Sequence, residues 1–258
     1  MTAVSFVPAP GRAPLAQMVW SHARMETRLL MRNGEQLLLA LVIPVLLLVG
    51  GAESGGVVNL GAGRRIDVLT PGVLALAVMS TSFTSLAIAT GFERRYGVLK
   101  RLGASPLTRG GLLLGKVVSL LVVEAAQVVV VGGIGLALGW HPHTNAGGVA
   151  WALLLGIAGT AAFASLALLL AGTLRAEATL ATANLVYILL LVAGAVVVPL
   201  SSYPRGIRDV VTLLPSGALA EGLREALNGR ALSAGHLLVL TVWAAAAAVA
   251  GMRLFRWE

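Results

Sequence analysis

Apolar residues run through the 258-residue chain in six long blocks, at about 36–50, 68–91, 111–139, 148–172, 178–198 and 235–253. Each approaches or exceeds the ~20 residues that carry a helix across a bilayer. The segments between them gather glycine, proline and charge. The first block is short and contains Pro44, which predicts a kinked or tilted helix. Pro71 is expected in the opening turn of the second block, where a missing N–H has no partner to lose. Blocks four and five meet at 172–177, a connection that fits only a tight helical hairpin.

Two segments outside the blocks carry a helical period. In 14–35, Leu15, Met18, Val19, Met25 and Leu29 recur at helical spacing while Arg24, Arg28 and Arg32 stack four apart. Such a helix lies in the inner interface with its arginines snorkelling to headgroups, as a plain anchor or as a contact for a cytoplasmic partner. In 199–234, Pro199, Pro204 and Pro215 punctuate two short pieces. Ile207, Val210, Val211, Leu213 and Leu214 alternate with Arg208 and Asp209 in the first. Leu219, Leu223 and Leu227 repeat every four residues in the second, with Glu221, Arg224 and Glu225 on its other face. Neither piece is long enough to cross. Together they form either a re-entrant hairpin in the outer leaflet or a helix lying on the surface.

Composition settles the class. Apolar residues make up 57% of the chain and charged ones 12%, against roughly 25% charged in an ordinary soluble domain. The chain is therefore expected to be an all-α integral membrane protein. It divides into an N-terminal tail and interfacial helix over 1–35 and a six-helix transmembrane domain over 36–258. With both termini inside, the cytoplasmic segments hold thirteen of the 19 Lys and Arg and the outer loops six, which fixes the orientation. The +8 net charge is then a signal toward anionic lipid, not a nucleic-acid footprint. Cysteine is absent, which excludes disulfides and thiol chemistry. No apolar leader precedes the first block, and residues 1–13 read as a flexible tail.

Candidate chemistry is sparse. The loop 92–110 between blocks two and three holds Glu93, Arg94, Arg95, Lys100, Arg101 and Arg109. A short helix is expected there, broken at Gly103 and stopped by Pro106, with Val98, Leu99 and Leu102 as an apolar knob. A loop that served topology alone would need the arginines but not the knob. Glu124 lies deep in block three with Gln127 three residues on, and the two are expected to share a side. A carboxylate at that depth is a functional candidate; it could also be protonated, or paired with Lys116, as a structural feature. Ser80, Thr81, Ser82, Thr84 and Ser85 surround Phe83 in block two, and Thr182, Asn184 and Tyr187 lie in block five. Gly111 with Gly115, and Gly135 with Gly139, permit close helix approach. Gly110-x4-Gly115-Lys116 matches most of a phosphate-binding loop, but Val117 replaces the Ser/Thr and no strand precedes it. His141-Pro142-His143 lacks acids nearby, so no metal site is expected, and no catalytic constellation is found.

Taken together, the interfacial helix, the loop and the hairpin resemble a type-2 ABC transporter permease. The residues that carry the resemblance are Glu93-Arg94-Arg95-x-Gly97-x-Leu99-x-x-Leu102-x-x-Ser105-Pro106, Gly115-Lys116, and Leu214-Pro215 followed by Glu221-Gly222-Leu223-Arg224. The resemblance spans nearly the whole chain and is nearest to bacterial drug and antibiotic exporters. It implies a multi-pass subunit of the bacterial plasma membrane with no nucleotide site and no cofactor of its own. ATP and Mg would sit on a separate cytoplasmic ATPase subunit present in two copies. A second permease, identical or not, would complete the membrane part. Glu93, Arg94, Arg95, Val98, Leu99, Lys100, Arg101 and Leu102 would form the coupling helix and its contacts. Phe83, Thr84, Asn184 and Tyr187 would join Glu124 and Gln127 along the substrate pathway, and Leu214, Pro215, Glu221 and Arg224 would gate its exit. Polysaccharide and lipid-linked glycan export permeases share this architecture, and an ion-coupled secondary transporter is the rival class.

Overall fold

The computed structural model describes residues 11, 13–32, 34–53 and 64–254, without the side chains of 35–39 and of Arg109. Most of the expected tail, and residues 255–258, lie outside the described residues. Among those described, every regular element is helical. In chain order they are α1 (Leu15–Arg32), α2 (Gly34–Glu53) and α3 (Arg65–Met79). A π-helical segment, Ser80–Ser85, runs on into α4 (Leu86–Arg95). Then come α5 (Val98–Gly103), α6 (Arg109–Ala137), α7 (Ala146–Thr173), α8 (Ala176–Ala193), a short 3-10 turn at Leu200–Ser202, α9 (Arg205–Thr212), α10 (Pro215–Leu227) and α11 (Ala234–Leu254).

Five stretches are long and apolar enough to cross a membrane: Arg65–Arg95, Gly110–Ala137, Ala146–Thr173, Ala176–Ala193 and Ala234–Leu254. In α2 the described apolar stretch, Ala40–Glu53, is shorter. The Arg65–Arg95 rod of α3, the π segment and α4 is the centre of the bundle. It touches α2, α6, α7, α8 and α10, and its buried positions run almost without break from Ile66 to Met79. By contrast α8 and α11 turn large apolar side chains outward, among them Ile188, Leu189, Val192, Leu238, Val242 and Met252. In a bilayer that pattern costs nothing, because lipid tails replace the protein core as apolar neighbours.

Two boundaries and one side chain depart from the sequence reading, each for a physical reason. The second block begins at Arg65, so Pro71 sits inside α3 rather than in its first turn. The fifth block ends at Ala193 rather than 198. Ala195 there takes a left-handed φ of 55°, and Pro199 opens the 3-10 turn. The third correction concerns Arg224. It was expected on a polar face of the outer hairpin, but its side chain is 1% exposed.

That burial follows from what α10 does. Pro215 supplies its first turn, where a proline suits the helix start. Nearly every residue from Pro215 to Arg224 is then buried against α3, α7 and α11. α10 is thus inserted into the bundle rather than laid on it, while α9 leaves Ile207 and Val210 exposed. From inside, the Arg224 guanidinium donates to the carbonyls of Val68 (3.2 Å), Ala195 (2.7 Å) and Val196 (2.5 Å). It is balanced by Glu221 at 3.3 Å. Gly72 makes this meeting possible: a Cβ there would lie 2.2 Å from the Val196 oxygen and 2.6 Å from Arg224 Nη2. No side chain fits.

Replacing Arg224 with Met should strand three buried carbonyls and Glu221, with a loss of about 3–5 kcal/mol as for other broken buried pairs. Arg224→Lys should recover little, since a point charge cannot reproduce the guanidinium fork. Thermal unfolding of the purified chain in detergent, and protease access to the segment around α9, would measure both. Wild-type midpoints in either variant would remove the clamp.

Candidate functional site

At one end of the bundle, three ties fix the loop that joins α4 to α6. The first is an ion-pair cluster. Lys116, buried near the start of α6, donates to Glu93 Oε1 at 2.7 Å and to Glu26 Oε1 of α1 at 3.1 Å. His22 Nε2 stands 3.5 Å from the same Glu26 oxygen. Burial holds the His22 ring below its ordinary pKa; Glu26 pulls it up and Lys116 pushes it further down. The expected alternative of a Glu124–Lys116 pair is therefore not what forms. Lys116 belongs to Glu93 and Glu26, and Glu124 lies two turns further along α6.

The second tie is Arg94, which donates to the carbonyls of Gly172 (2.7 Å) and Leu174 at the end of α7. Those carbonyls have no partner within the helix, and the helix dipole favours a cation there. Third, Arg95 pairs with Glu177 in the first turn of α8 and lies over the Tyr96 ring at 5.9 Å. Glu93, Arg94 and Arg95 are thus all engaged within the chain.

The backbone then reverses through Gly97, whose φ of 69° lies in the left-handed region. α5 follows and ends at Gly103, as the sequence indicated. Ser105 Oγ caps the turn by donating to Leu102 O and accepting from Leu107 N. Thr108 caps α6 by accepting from Gly111 N at 3.1 Å. Of the knob residues, Leu99 is 2% exposed and points inward, Leu102 is half-buried and Val98 is exposed. Tyr96, Lys100 and Arg101 are exposed beside Val98.

Along α1, Val19, Ala23, Glu26 and Leu30 share the inward face with His22, while Arg24, Arg28 and Arg32 face outward. Gly115 lets α1 pack close: a Cβ there would stand 2.6 Å from the His22 ring. The near-match to a phosphate loop is thus a helix start pressed against α1, with its lysine held by two carboxylates.

A polar seam crosses the middle of the bundle. Thr81 of the π segment donates to Gln127 Oε1 at 3.0 Å, and Gln127 Nε2 donates to Ala40 O of α2 at 3.0 Å. Ser80 is hydrogen-bonded to Tyr187 of α8. Phe83 packs on Phe163 of α7, with ring centroids 6.4 Å apart. Glu124 and Gln127 do not share a partner: Glu124 Oε2 meets Thr160 Oγ of α7 at 2.6 Å. Thr160 also bonds Gly156 O at 2.9 Å, and a hydroxyl carries one hydrogen. That hydrogen is shared between the Glu124 carboxyl and the Gly156 carbonyl. Thr84 is half-buried, and Asn184 is exposed on the outer face of α8.

The π segment thus bonds Gln127 through Thr81 and Tyr187 through Ser80, Phe83 packs on α7, and Glu124 bonds Thr160 instead. At the other end, Leu214 precedes α10, Pro215 is buried, and Glu221 bridges Arg224 and Arg230 at 3.3 and 3.8 Å. Sequence reasoning missed His22, Glu26, Thr160 and Asn228. For Glu26 a signal existed, since an acid sits on the face defined by Val19, Ala23 and Leu30. The others depend on which helices meet.

These features agree with comparison to known proteins. Residues 13–228 match the family model described as ABC-2 type transporter. The chain is 28% identical over 253 residues to the probable doxorubicin resistance ABC transporter permease protein DrrC of Mycobacterium tuberculosis strains CDC 1551 / Oshkosh and ATCC 25618 / H37Rv, covering 92% of this chain and 87% of that protein. The match spans α1, the tied loop, the central rod and the inserted hairpin alike, and the chain belongs to the ABC-2 type transporter family.

Proposed function

We propose that this chain is the membrane-spanning permease subunit of an ATP-driven exporter, taking its energy from a separate cytoplasmic ATPase. The observation that carries the reading is the loop around α5. Its charged residues tie it to α1, α6, α7 and α8, while Tyr96, Val98, Lys100 and Arg101 are left exposed in one short stretch. A loop needed only for topology gains nothing from being braced to four helices. One that receives a push from a partner does. On this reading Leu99 seats α5, Leu102 supports it, and Glu93, Arg94 and Arg95 are the brace rather than the contact surface.

In the same proposal α2 is the first of six spans, the termini and the α5 loop are cytoplasmic, and α9–α10 form a hairpin entering from the outside of a bacterial plasma membrane. Two permease copies and two ATPase copies make the working unit, with ATP and Mg held by the ATPases. Binding and hydrolysis bias the bundle between two arrangements, by as much as the partner's affinity differs between them. The cargo is a hydrophobic or amphipathic molecule such as a drug, an antibiotic or a lipid-like compound, in keeping with the relatives' description as doxorubicin resistance permeases. Lipid is the surrounding partner. Phe83, Thr84, Glu124, Gln127, Asn184 and Tyr187 are the proposed pathway, with Leu214, Pro215, Glu221 and Arg224 at the exit.

Val98→Asp with Arg101→Glu should abolish co-purification of the ATPase while membrane insertion and thermal stability stay at wild type. Full co-purification would sink the docking assignment. Leu99→Asp should instead destabilise the chain itself, since it buries a charge. Glu124→Gln keeps the shape of the side chain and an oxygen acceptor for the Thr160 hydroxyl, so complex assembly and basal hydrolysis should be unchanged. If Glu124 meets cargo, doxorubicin-stimulated hydrolysis should fall about tenfold, as for loss of one charge-assisted hydrogen bond. Unchanged stimulation assigns Glu124 to packing alone.

A further inference from the structure

A proline inside a helix leaves the carbonyl four residues back without its donor. Among the described residues this happens at Pro44 in α2 and at Pro71 in α3. The freed acceptors are the carbonyls of Ala40 and Asp67, and a carboxamide from another element meets each of them. Gln127 of α6 donates through Nε2 to Ala40 O at 3.0 Å. Asn228, directly after α10, donates through Nδ2 to Asp67 O at 2.9 Å. A carbonyl only accepts, so both amides must present nitrogen to it. That leaves Gln127 Oε1 facing the Thr81 hydroxyl, which donates to it at 3.0 Å from within the π segment.

Gln127 is 1% exposed. Packing alone would be served by a side chain of the same size without polar atoms. Such a residue would strand the Ala40 carbonyl and the Thr81 hydroxyl where no water can reach them, a cost that lipid surroundings do not relieve. The amide is therefore matched to the carbonyl that the proline frees. At the other hinge the arrangement is reinforced, because Arg224 holds the adjacent Val68 carbonyl at 3.2 Å.

We infer that Gln127 and Asn228 are positioning residues, each latching one proline hinge. Gln127 sets the kink of α2 against the π segment of the central rod. Asn228 sets the bend of α3 against the inserted hairpin. The Gln127 amide touches two helix irregularities at once, Pro44's open carbonyl and the widened turn at Thr81, so bending α2 pulls on the π segment. Opening the latch frees α2 at Pro44 without breaking any bond within a helix, because the proline has already removed that bond.

The test is a double-mutant cycle on the full chain in lipid nanodiscs. The natural sequence has no cysteine, so Glu53→Cys and Val129→Cys, both exposed, take nitroxide labels on the outer part of α2 and on α6. Pulsed electron resonance then reads their separation. Gln127→Met should raise the population of altered separations about tenfold, the effect of stranding one buried carbonyl. Adding Pro44→Ala returns an N–H to the Ala40 carbonyl and should restore the distribution seen with Pro44→Ala alone. A merely space-filling Gln127 would show no such rescue. The inference is overturned if Gln127→Met leaves the distribution unchanged, or if the double variant stays as broad as the single one. Should Gln127→Met fail to yield folded protein, recovery of folded protein by Pro44→Ala supports the latch and failure to recover overturns it. Asn228→Ala with Pro71→Ala forms the matching cycle for the second hinge, read between labels on α3 and α9.

Discussion

The architecture rests on one buried guanidinium. Backbone carbonyls in an apolar bundle must find donors, and wherever a helix unwinds the ladder no longer supplies them. α8 unwinds after Ala193 and puts the carbonyls of Ala195 and Val196 against the central rod, beside Gly72. Arginine is the side chain with several donors, no acceptor and a planar fork, so a single Arg224 can satisfy both carbonyls and Val68 as well. Removing it would leave more than a missing contact: the left-handed turn at Ala195 and the insertion of α10 both lean on it. Glu221 at 3.3 Å keeps the charge from standing alone.

The same rule explains why polar groups in the spans occur where the backbone is irregular. Gln127 and Asn228 stand at carbonyls freed by proline, Ser82 returns its hydroxyl to Val78 O at 2.6 Å inside the π segment, and Arg94 closes the open end of α7. The regular parts of the helices are mostly apolar, with the Glu124–Thr160 contact between α6 and α7 as an exception. Several buried polar residues of this chain thus mark where helices are interrupted or stop. They coincide with the places that a transport cycle would have to move.

Much of this was legible in the sequence. Of the six blocks expected to cross, five coincide within a few residues with helices long and apolar enough to do so. The break at Gly103 and the split of the hairpin at Pro215 followed from residue chemistry alone, whereas the turn at Gly97 did not. What the sequence hid was partner choice. The spacing of Glu93, Arg94 and Arg95 reads as a solvated basic loop because nothing local reveals that Lys116, the end of α7 and Glu177 converge on it. Arg224 falls on the charged side of an amphipathic repeat, and only the unwound end of α8 gives it a reason to turn inward. Pro71 was misplaced for the opposite reason. The charged pair Arg64–Arg65 looks like loop, yet Arg65 opens the helix, with Asp67 in its first turn where the dipole favours an acid.

The brace around α5 also constrains how force could pass through the molecule. A docking partner can shift the bundle only through elements stiffer than the rearrangement being driven. A free surface loop would deform first. Here α5 is short, its Leu99 is buried, and its flanks are tied by ionic contacts that leave Lys116 3% exposed. Exposed ion pairs contribute little and yield easily; losing one member of a buried set strands the other charges and costs several kcal/mol. A displacement applied at Val98 and Arg101 therefore reaches the end of α7 through Arg94 and, through Lys116, both α6 and α1; the exposed Arg95–Glu177 pair is the weaker tie to α8. Further along α6, Gln127 touches the carbonyl that Pro44 frees in α2 and the π segment together. The path from surface to hinge thus runs through the buried Lys116 cluster, along α6, and across the Gln127 amide.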